Sequence, residues 1–279
     1  MNKIGPIIIT GMHRSGTSLL SNILMQQGIF MGSKLDSNNE SIFFQRINKW
    51  ILSCIGSSWD NPQTLKDLEN EDINVIINRL GKALNSRFSK SLFLGKKDLI
   101  YNKSLNEIDI VWGWKDPVNT FTLFIWKKIF PNSKIININR HPLDVSTSLI
   151  NRESNLKSKD KESLFPEFLS SLLPVLSINK GDVLSSFNIK NINDGLKLYK
   201  KYFDEIESNK NLYDVLDIKY EDLIMDSNKV LNEIFDYLDM NISDDEYQDI
   251  ERILDKSRVY AFKNNKLDFD DKLLELIDY

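Results

Sequence analysis

The sequence predicts an α/β protein in which helices flank a parallel β-sheet. Apolar runs rich in β-branched residues predict strands at 7–10, 110–114, 134–139 and 215–220. A segment with apolar residues at helical spacing follows each strand, and this alternation is typical of parallel sheets covered by helices. The length of 279 residues favours one α/β domain with insertions, so we expect a single domain over residues 1–279.

The first strand leads into a loop bounded by Gly11 and Gly16. Thr17, Ser18 and a renewed apolar pattern follow, and they predict a helix that ends near Gln27. The N–H groups of such a loop converge on one point, where the helix adds about half a positive charge. The segment therefore predicts an anion site, although an ordinary turn with a good N-cap has the same composition.

The loop has the glycine spacing of the triphosphate motif G-x-x-x-x-G-K-S/T, but Thr17 stands at the lysine position. Enzymes that cleave ATP or GTP use that lysine on the β- and γ-phosphates, so its absence disfavours triphosphate cleavage. The cation of this loop is Arg14, and its planar guanidinium can bind phosphate or sulfate oxygens in pairs.

The later elements follow from periodicity and from breaker residues. Helices are predicted at 42–55, 71–88, 120–130, 194–207, 227–238 and 244–254, and another begins at Pro142, where proline is tolerated. Residues 33–39 and 57–64 are predicted loops. From about 151 to 191 the pattern degrades into charges and serines around Phe165, Leu172 and Phe187, so we expect an irregular insertion or lid there.

A second anion clamp is predicted where the strand 134–139 ends. Arg140 begins the segment Arg-His-Pro-Leu-Asp-Val-Ser-Thr-Ser, in which Ser148 lies eight residues later. Ligands of parallel sheets bind beyond the carboxyl ends of the strands, and Arg14 and Arg140 both follow strands. We therefore expect one shared anion site, although the second segment also fits an ordinary helix start.

Composition narrows the function classes. The net charge of −4 gives no indication of a nucleic-acid partner. The single cysteine, Cys54, cannot form an internal disulfide and is expected in the core, and two histidines with one cysteine do not make the usual zinc site. No stretch of apolar residues is long enough to span a membrane and no signal-peptide pattern is present, so we expect a cytoplasmic protein. The oligomeric state stays open.

Taken together, these segments resemble the nucleotide-dependent sulfotransferases. That family has a loop like 11–20 for the 5′-phosphosulfate of 3′-phosphoadenosine 5′-phosphosulfate (PAPS). Its R-x-P-x-D-x-x-x-S segment for the 3′-phosphate matches Arg140, Pro142, Asp144 and Ser148. Three more segments resemble segments of the family and follow in the same order along the chain: Asn39-Glu40 with Asn48 and 56–59, Gly113–Pro117, and Tyr220–Leu223. The last of these is expected to be structural.

The resemblance implies a P-loop NTPase-like sulfotransferase fold and sulfuryl transfer from PAPS to a hydroxyl of a carbohydrate, glycolipid or secondary metabolite. It implies that no metal is needed, because arginine and backbone donors can meet the charge of the donor. Arg14, which stands where many members have lysine, would also stabilise the leaving oxygen. The donor would be bound by Gly11, His13, Arg14, Ser15, Gly16, Thr17, Ser18, Arg140 and Ser148.

Glu40 is the candidate general base, a role typically worth about 10² to 10⁴ in rate. It lies in a polar turn and matches a family position where an acidic residue often acts on the acceptor, but it also fits an exposed glutamate near a helix start. His13 and His141 are the other possible bases. Lys115 and Asp116 either line the acceptor pocket or form a buried ion pair that shapes the turn.

Two other functions stay open, a small-molecule kinase and a catalytically inactive nucleotide-binding module. The glycine-rich carboxy-terminal segment that covers the donor in many members is not recognisable, and Ser257-Arg258 and Lys263 are the nearest basic candidates. Acceptor recognition is expected in the least patterned segments, 33–70 and 151–191. Four aromatic residues there either stack on a sugar ring or pack in the core: Phe43, Trp50, Trp59 and Phe165.

Overall fold

The computed structural model describes residues 5–95, Leu105, 110–161 (side chains to 156) and 186–279. Within these residues, four parallel strands form one sheet in the order β2-β1-β3-β4. The strands are β1 (Ile7–Thr10), β2 (Gly113–Lys115), β3 (Lys134–Asn139) and β4 (Val215–Lys219). In β1, Ile8 pairs with Trp114 on one side and with Ile135 on the other, so the central strand is hydrogen-bonded along both edges.

Helices cover both faces of this sheet. Their bounds are α1 Thr17–Gln26, α2 Ile42–Ser53, α3 Asn70–Asn85, α4 Arg87–Leu94, α5 Asn119–Ile129, α6 Pro142–Lys161, α7 Ile192–Lys210, α8 Tyr220–Met225, α9 Ser227–Tyr237, α10 Asp244–Ile253 and α11 Asp271–Glu275. Single 3₁₀ turns lie at Lys256–Arg258 and Ala261–Asn264. The described part of the chain contains no helix with both the length and the apolar character needed to cross a membrane.

The alternation of side chains along β1 divides the core in two. Ile7 and Ile9 pack with α1, α8, α9 and α10, whereas Ile8 packs with α2 to α5. A third apolar cluster joins α6 and α7 beside the end of the sheet. The predicted α/β class with helices on both faces is therefore confirmed, and both faces of β1 are buried, as expected for a parallel sheet.

Several predicted bounds needed correction. The helix predicted at 71–88 is two helices, because the backbone of Ser86 is extended and its hydroxyl caps α4. The strand predicted at 110–114 begins only at Gly113, where pairing with Ile7 starts. Residues 151–161, placed in the irregular insertion, continue α6, because Glu153 lies one turn after Leu149 on its buried face. Phe165, Leu172 and the rest of that segment to 185 lie outside the described residues.

Two other expectations concern single side chains. Cys54 is exposed rather than buried, because it follows the last turn of α2, beyond the stripe formed by Phe44, Asn48 and Ile51 that faces the core. The three described aromatic candidates for sugar stacking, Phe43, Trp50 and Trp59, all pack against the apolar clusters.

Candidate active site

The loop between β1 and α1 depends on three residues with left-handed backbone. Gly11 has φ +129° and Gly16 has φ +106°, and a Cβ on Gly16 would lie 2.4 Å from the Tyr220 ring. Arg14 adopts φ +72° without being glycine, and such strained residues are concentrated at functional sites. The loop is closed by a hydrogen bond from Ser15 N–H to Met12 O at 3.2 Å. Beyond it, the first N–H groups of α1 face outward with no helical partner.

A cavity of about 640 Å³ opens above this loop, where β1 and β3 end. Eight of the predicted site residues border it: His13, Arg14, Gly16, Thr17, Ser18, Glu40, Arg140 and Ser148. Gly11 and Ser15 do not. A Cβ on Gly11 would lie 2.5 Å from Ile138 O, and the Ser15 side chain is fully buried. These two residues shape the loop, and their contact with a ligand stays a prediction.

Arg14 joins the two predicted clamps. Its Nε donates to Ser148 Oγ at 2.8 Å, across 134 positions of the chain. Among the described residues it pairs with no carboxylate, whereas Arg140, Arg152 and Arg258 each have one. Burial and the charges of those three arginines lower the pKa of Arg14. Several cations thus lie close together around Arg14, although Glu40, Asp144 and Asp255 also border the cavity, and an anion bound beside Arg14 would relieve the repulsion between the cations.

Arg140 is enclosed by protein groups. Its guanidinium donates to Arg258 O at 2.6 Å and to Arg14 O at 3.4 Å, and it lies 3.3 Å from Asp144 Oδ2. It also covers the Tyr220 ring at 4.7 Å. Arg140 thus holds three chain segments together, and its buried Nε–H has no partner among the described residues. Ser148, which was expected to bind the same phosphate as Arg140, bonds to Arg14.

Glu40 lies in a buried ion pair that borders the same cavity. Lys115 Nζ is 2.8 Å from Glu40 Oε1, and Gln45 Nε2 donates to Glu40 Oε2 at 2.9 Å. Only 5% of Glu40 is exposed, so it is not a free surface glutamate. Both residues border the cavity. Lys115 therefore lies in a buried ion pair, but with Glu40 rather than with Asp116.

Asp116 does not border the cavity. Its buried carboxylate accepts from Asn48 Nδ2 at 2.9 Å and from Val118 N–H at 3.0 Å, which shapes the turn after β2. Burial, and then the charge of Glu40, raise the pKa of Asp116 to about 7. Asp116 therefore shapes the turn after β2, whereas Lys115 borders the cavity.

The two histidines differ in position. His13 borders the cavity and contacts the Trp59 ring edge to face, with centroids 4.8 Å apart. Burial and the charges of Arg152, Lys115 and Arg14 lower its pKa well below the ordinary value, so it is neutral at pH 7. His141 stacks on Phe262 at 4.4 Å, and its Nδ1 accepts from Leu143 N–H at 3.3 Å. His141 does not border the cavity and supports the start of α6.

Several lining residues on α6 were missed by sequence reasoning. Arg152 lies one helical turn after Ser148, with its guanidinium 4.7 Å from the centre of the Trp59 ring and 2.6 Å from Glu153. The hydroxyl of Thr147 is buried with no partner among the described residues. The i, i+4 spacing on a helix predicted to start at Pro142 was the signal that would have found Arg152.

The carboxy-terminal segment closes the cavity without a glycine-rich motif. Phe262 N–H donates to Asp144 Oδ1 at 2.8 Å, and Arg258 and Asn265 border the cavity. Of the basic candidates, Arg258 is therefore in place, whereas Lys263 lies over the Tyr260 ring at 4.7 Å and is not part of the lining. Within the described residues, no group of three His, Cys, Asp or Glu side chains is arranged to hold a metal.

The sequence and the structure of the chain were compared with those of known proteins. Residues 6–244 match the family model described as the sulfotransferase family. The sulfotransferase domain of the curacin biosynthetic pathway is similar in structure, with a TM-score of 0.54, 16% identity, and coverage of 100% of this chain and 99% of that one. The sulfotransferase domain of the Synechococcus PCC 7002 olefin synthase is also similar, with a TM-score of 0.51 and 16% identity, and the match covers 100% of this chain and 97% of that one. No curated protein matches the sequence. The fold is thus the P-loop-like sulfotransferase fold.

Proposed function

The chain belongs to the sulfotransferase family, and we propose that it transfers a sulfuryl group from PAPS to a hydroxyl of a small-molecule or saccharide acceptor. The acceptor classes we propose are a carbohydrate, a glycolipid or a secondary metabolite. One observation carries the proposal: four arginines, Arg14, Arg140, Arg152 and Arg258, border one cavity beside the Glu40–Lys115 pair. A donor with separate anionic groups at its 5′ and 3′ ends suits such a cavity.

The donor groups in the cavity fit two anionic ends. Arg14 and the first N–H groups of α1, at Thr17 and Ser18, would hold the 5′-phosphosulfate. The Nε of Arg140 and the hydroxyl of Thr147, both buried without a partner among the described residues, would hold the 3′-phosphate with Ser148 nearby. Buried donors without partners are costly unless a ligand or water meets them, which supports an anion at this place.

PAPS supplies the activated sulfuryl group when it is bound. The chain positions the two reactants and stabilises charge, as expected for an in-line transfer. Arg14 and the loop N–H groups would offset the negative charge on the departing phosphate oxygen. Glu40 would accept the proton of the acceptor hydroxyl, because its carboxylate borders the cavity, where Lys115 and Gln45 hold it in one orientation. His13, neutral and beside the loop, would contact the donor without adding charge.

A thermal-shift series tests the donor class. It compares adenosine 3′,5′-bisphosphate, AMP, and ATP with magnesium. A ligand at about 100 times its dissociation constant adds roughly 2.7 kcal/mol to the free energy of unfolding, which a melting curve resolves. Stabilisation by the bisphosphate alone supports the proposal, and an acceptor screen with radiolabelled PAPS then follows. Stabilisation by magnesium-ATP alone would indicate a kinase, and bisphosphate binding without turnover on any acceptor would indicate an inactive binding module.

Glu40→Gln tests the proton acceptor. We expect turnover to fall by about 10² to 10⁴ while the affinity for the bisphosphate stays unchanged, because the amide keeps the shape and loses the basicity. Glu207→Gln, which changes an exposed glutamate paired with Lys210, is the matched control and should leave turnover unchanged. An undiminished rate for Glu40→Gln with the true acceptor would remove Glu40 as the base.

A further inference from the structure

We propose that Asp36 is a positioning residue, which holds Glu40, and through Asn38 the ammonium of Lys115, in the orientation that sulfuryl transfer requires. Asp36 does not border the cavity, so it would act through these two residues rather than on the substrate. The inference rests on the role proposed for Glu40.

The turn that carries Glu40 is closed by the side chain of Asp36. A single carboxylate oxygen, Asp36 Oδ1, accepts the N–H of Asn38 at 2.8 Å and the N–H of Glu40 at 2.8 Å. The N–H of Asp36 donates back to Glu40 O at 3.0 Å. Both the N–H and the C=O of Glu40 are therefore hydrogen-bonded to one residue, which fixes the backbone from which the Glu40 side chain extends.

The same turn includes a strained residue. Asn39 adopts φ +61°, the left-handed region, and its N–H donates to Asp36 O at 3.2 Å. A non-glycine residue keeps such a backbone only where surrounding bonds hold it there. Without the carboxylate of Asp36, two of the bonds that hold this turn are lost, and the strain favours its relaxation.

Asn38 connects the turn to the rest of the site. Its carbonyl oxygen accepts from Ser18 Oγ at 2.8 Å and from Lys115 Nζ at 3.1 Å, so it binds the start of α1 and the end of β2. Lys115 Nζ therefore contacts two groups of the turn, Asn38 O and Glu40 Oε1. A turn held by Asp36 thus determines where the ammonium lies as well as where the carboxylate lies.

Kinetics of Asp36→Ala and Asp36→Asn test this inference. We expect Asp36→Ala to lower kcat by about ten- to a hundredfold, the size of effect that displacement of a catalytic group produces, with the affinity for adenosine 3′,5′-bisphosphate unchanged. Asp36→Asn keeps an oxygen that can accept both N–H groups, so it should retain most of the activity. Asp270→Ala is the control, because Asp270 makes the same kind of side-chain turn at the exposed start of α11. It should leave kcat unchanged.

A double variant separates positioning from a general structural role. Because Asp36 acts partly through Glu40, Asp36→Ala should lower kcat less in the Glu40→Gln background than in the wild type. Additive losses, or a wild-type kcat for Asp36→Ala, would overturn the inference.

Amide hydrogen exchange tests, independently of activity, whether Asp36 holds the turn. The N–H groups of Asn38 and Glu40 should be protected in the wild type and should exchange freely in Asp36→Ala, and equal protection in both would overturn the inference. A wild-type protein that transfers sulfuryl to no acceptor would instead count against the proposed function, with the exchange data still reporting on the turn.

Discussion

Arg14 and Arg140 border the same cavity at the ends of adjacent strands, yet their surroundings differ. Arg14 is held by one hydroxyl, Ser148 Oγ, and by no carboxylate among the described residues. Arg140 contacts Asp144, two backbone carbonyls and the face of an aromatic ring. The sequence pattern is the same in both cases, a cation after a strand, and the contacts assign different tasks to the two cations.

The difference in contacts indicates that Arg140 stabilises the folded protein, whereas Arg14 remains available to bind a ligand. The contacts of Arg140 stabilise the arrangement of the loop, α6 and the carboxy-terminal segment, so much of its interaction is with the protein itself. Arg14 lies in a cationic environment with few partners, so most of its interaction is available to a ligand. We therefore expect substitution of Arg140 to affect folding and substitution of Arg14 to affect catalysis.

The largest effect is expected for Arg140→Ala. Removing the guanidinium leaves the buried carboxylate of Asp144 without its cation and two carbonyls without a donor. The free energy of unfolding should fall by about 3 to 5 kcal/mol, the usual cost of breaking a buried ion pair. Urea unfolding measures it. A loss below about 1 kcal/mol would mean that Arg140 is as independent of the scaffold as Arg14.

Arg14→Ala should give the opposite result. The free energy of unfolding should change by no more than about 0.5 kcal/mol, as for substitutions outside tight networks. Turnover should fall by about 10² to 10³, the loss typical of removing one group that stabilises developing charge. The affinity for adenosine 3′,5′-bisphosphate should change less than kcat. A loss of affinity without a loss of kcat would make Arg14 a binding residue only.

Ser148→Ala should have a smaller effect through Arg14. It removes the hydrogen bond that, within the described residues, orients the Arg14 guanidinium. Such a bond is worth about 0.5 to 1.5 kcal/mol, so kcat should fall about three- to tenfold. Ser154→Ala, at an exposed position on the same helix, is the matched control and should leave kcat unchanged. Equal rates for both variants would show that Arg14 keeps its orientation without Ser148.

The smallest effect is expected for the pH dependence of stability, in which His13, in the loop with Arg14, differs from His141, next to Arg140. Burial keeps His13 neutral in the folded protein, while the unfolded chain binds a proton near pH 6.5, so the free energy of unfolding falls as the pH drops below about 6.5. His13→Gln should remove part of this fall, no more than about 1.4 kcal/mol per pH unit. His141→Gln should remove less, because Asp144 and Glu221 oppose the lowering of its pKa. Melting temperatures from pH 7.5 to 5.5 compare the two, and equal slopes would contradict the assignment.

Local patterns in the chain were enough to predict the fold and to name eight residues that border the cavity. The period of apolar residues marks strands and helices, and the positions of Gly11, Gly16, Arg14 and Arg140 relative to strand ends can be read directly. Such features depend on neighbours a few residues away, so one sequence contains them. The bounds of β2 could not be read in this way, because they are set by pairing with β1, about 100 residues earlier.

Tertiary structure alone decided which groups meet. Arg14 bonds to Ser148 across 134 positions, and Lys115 reaches Glu40 across 75. Neither spacing leaves a periodic trace in the sequence. Glu40 is buried and Arg140 is enclosed because distant segments of the chain pack against them. The carboxy-terminal segment that contacts Arg140 has no recognisable motif. The chain order therefore specifies the elements and the edge of the sheet at which the cavity opens, whereas the surroundings of each side chain come from contacts between distant segments.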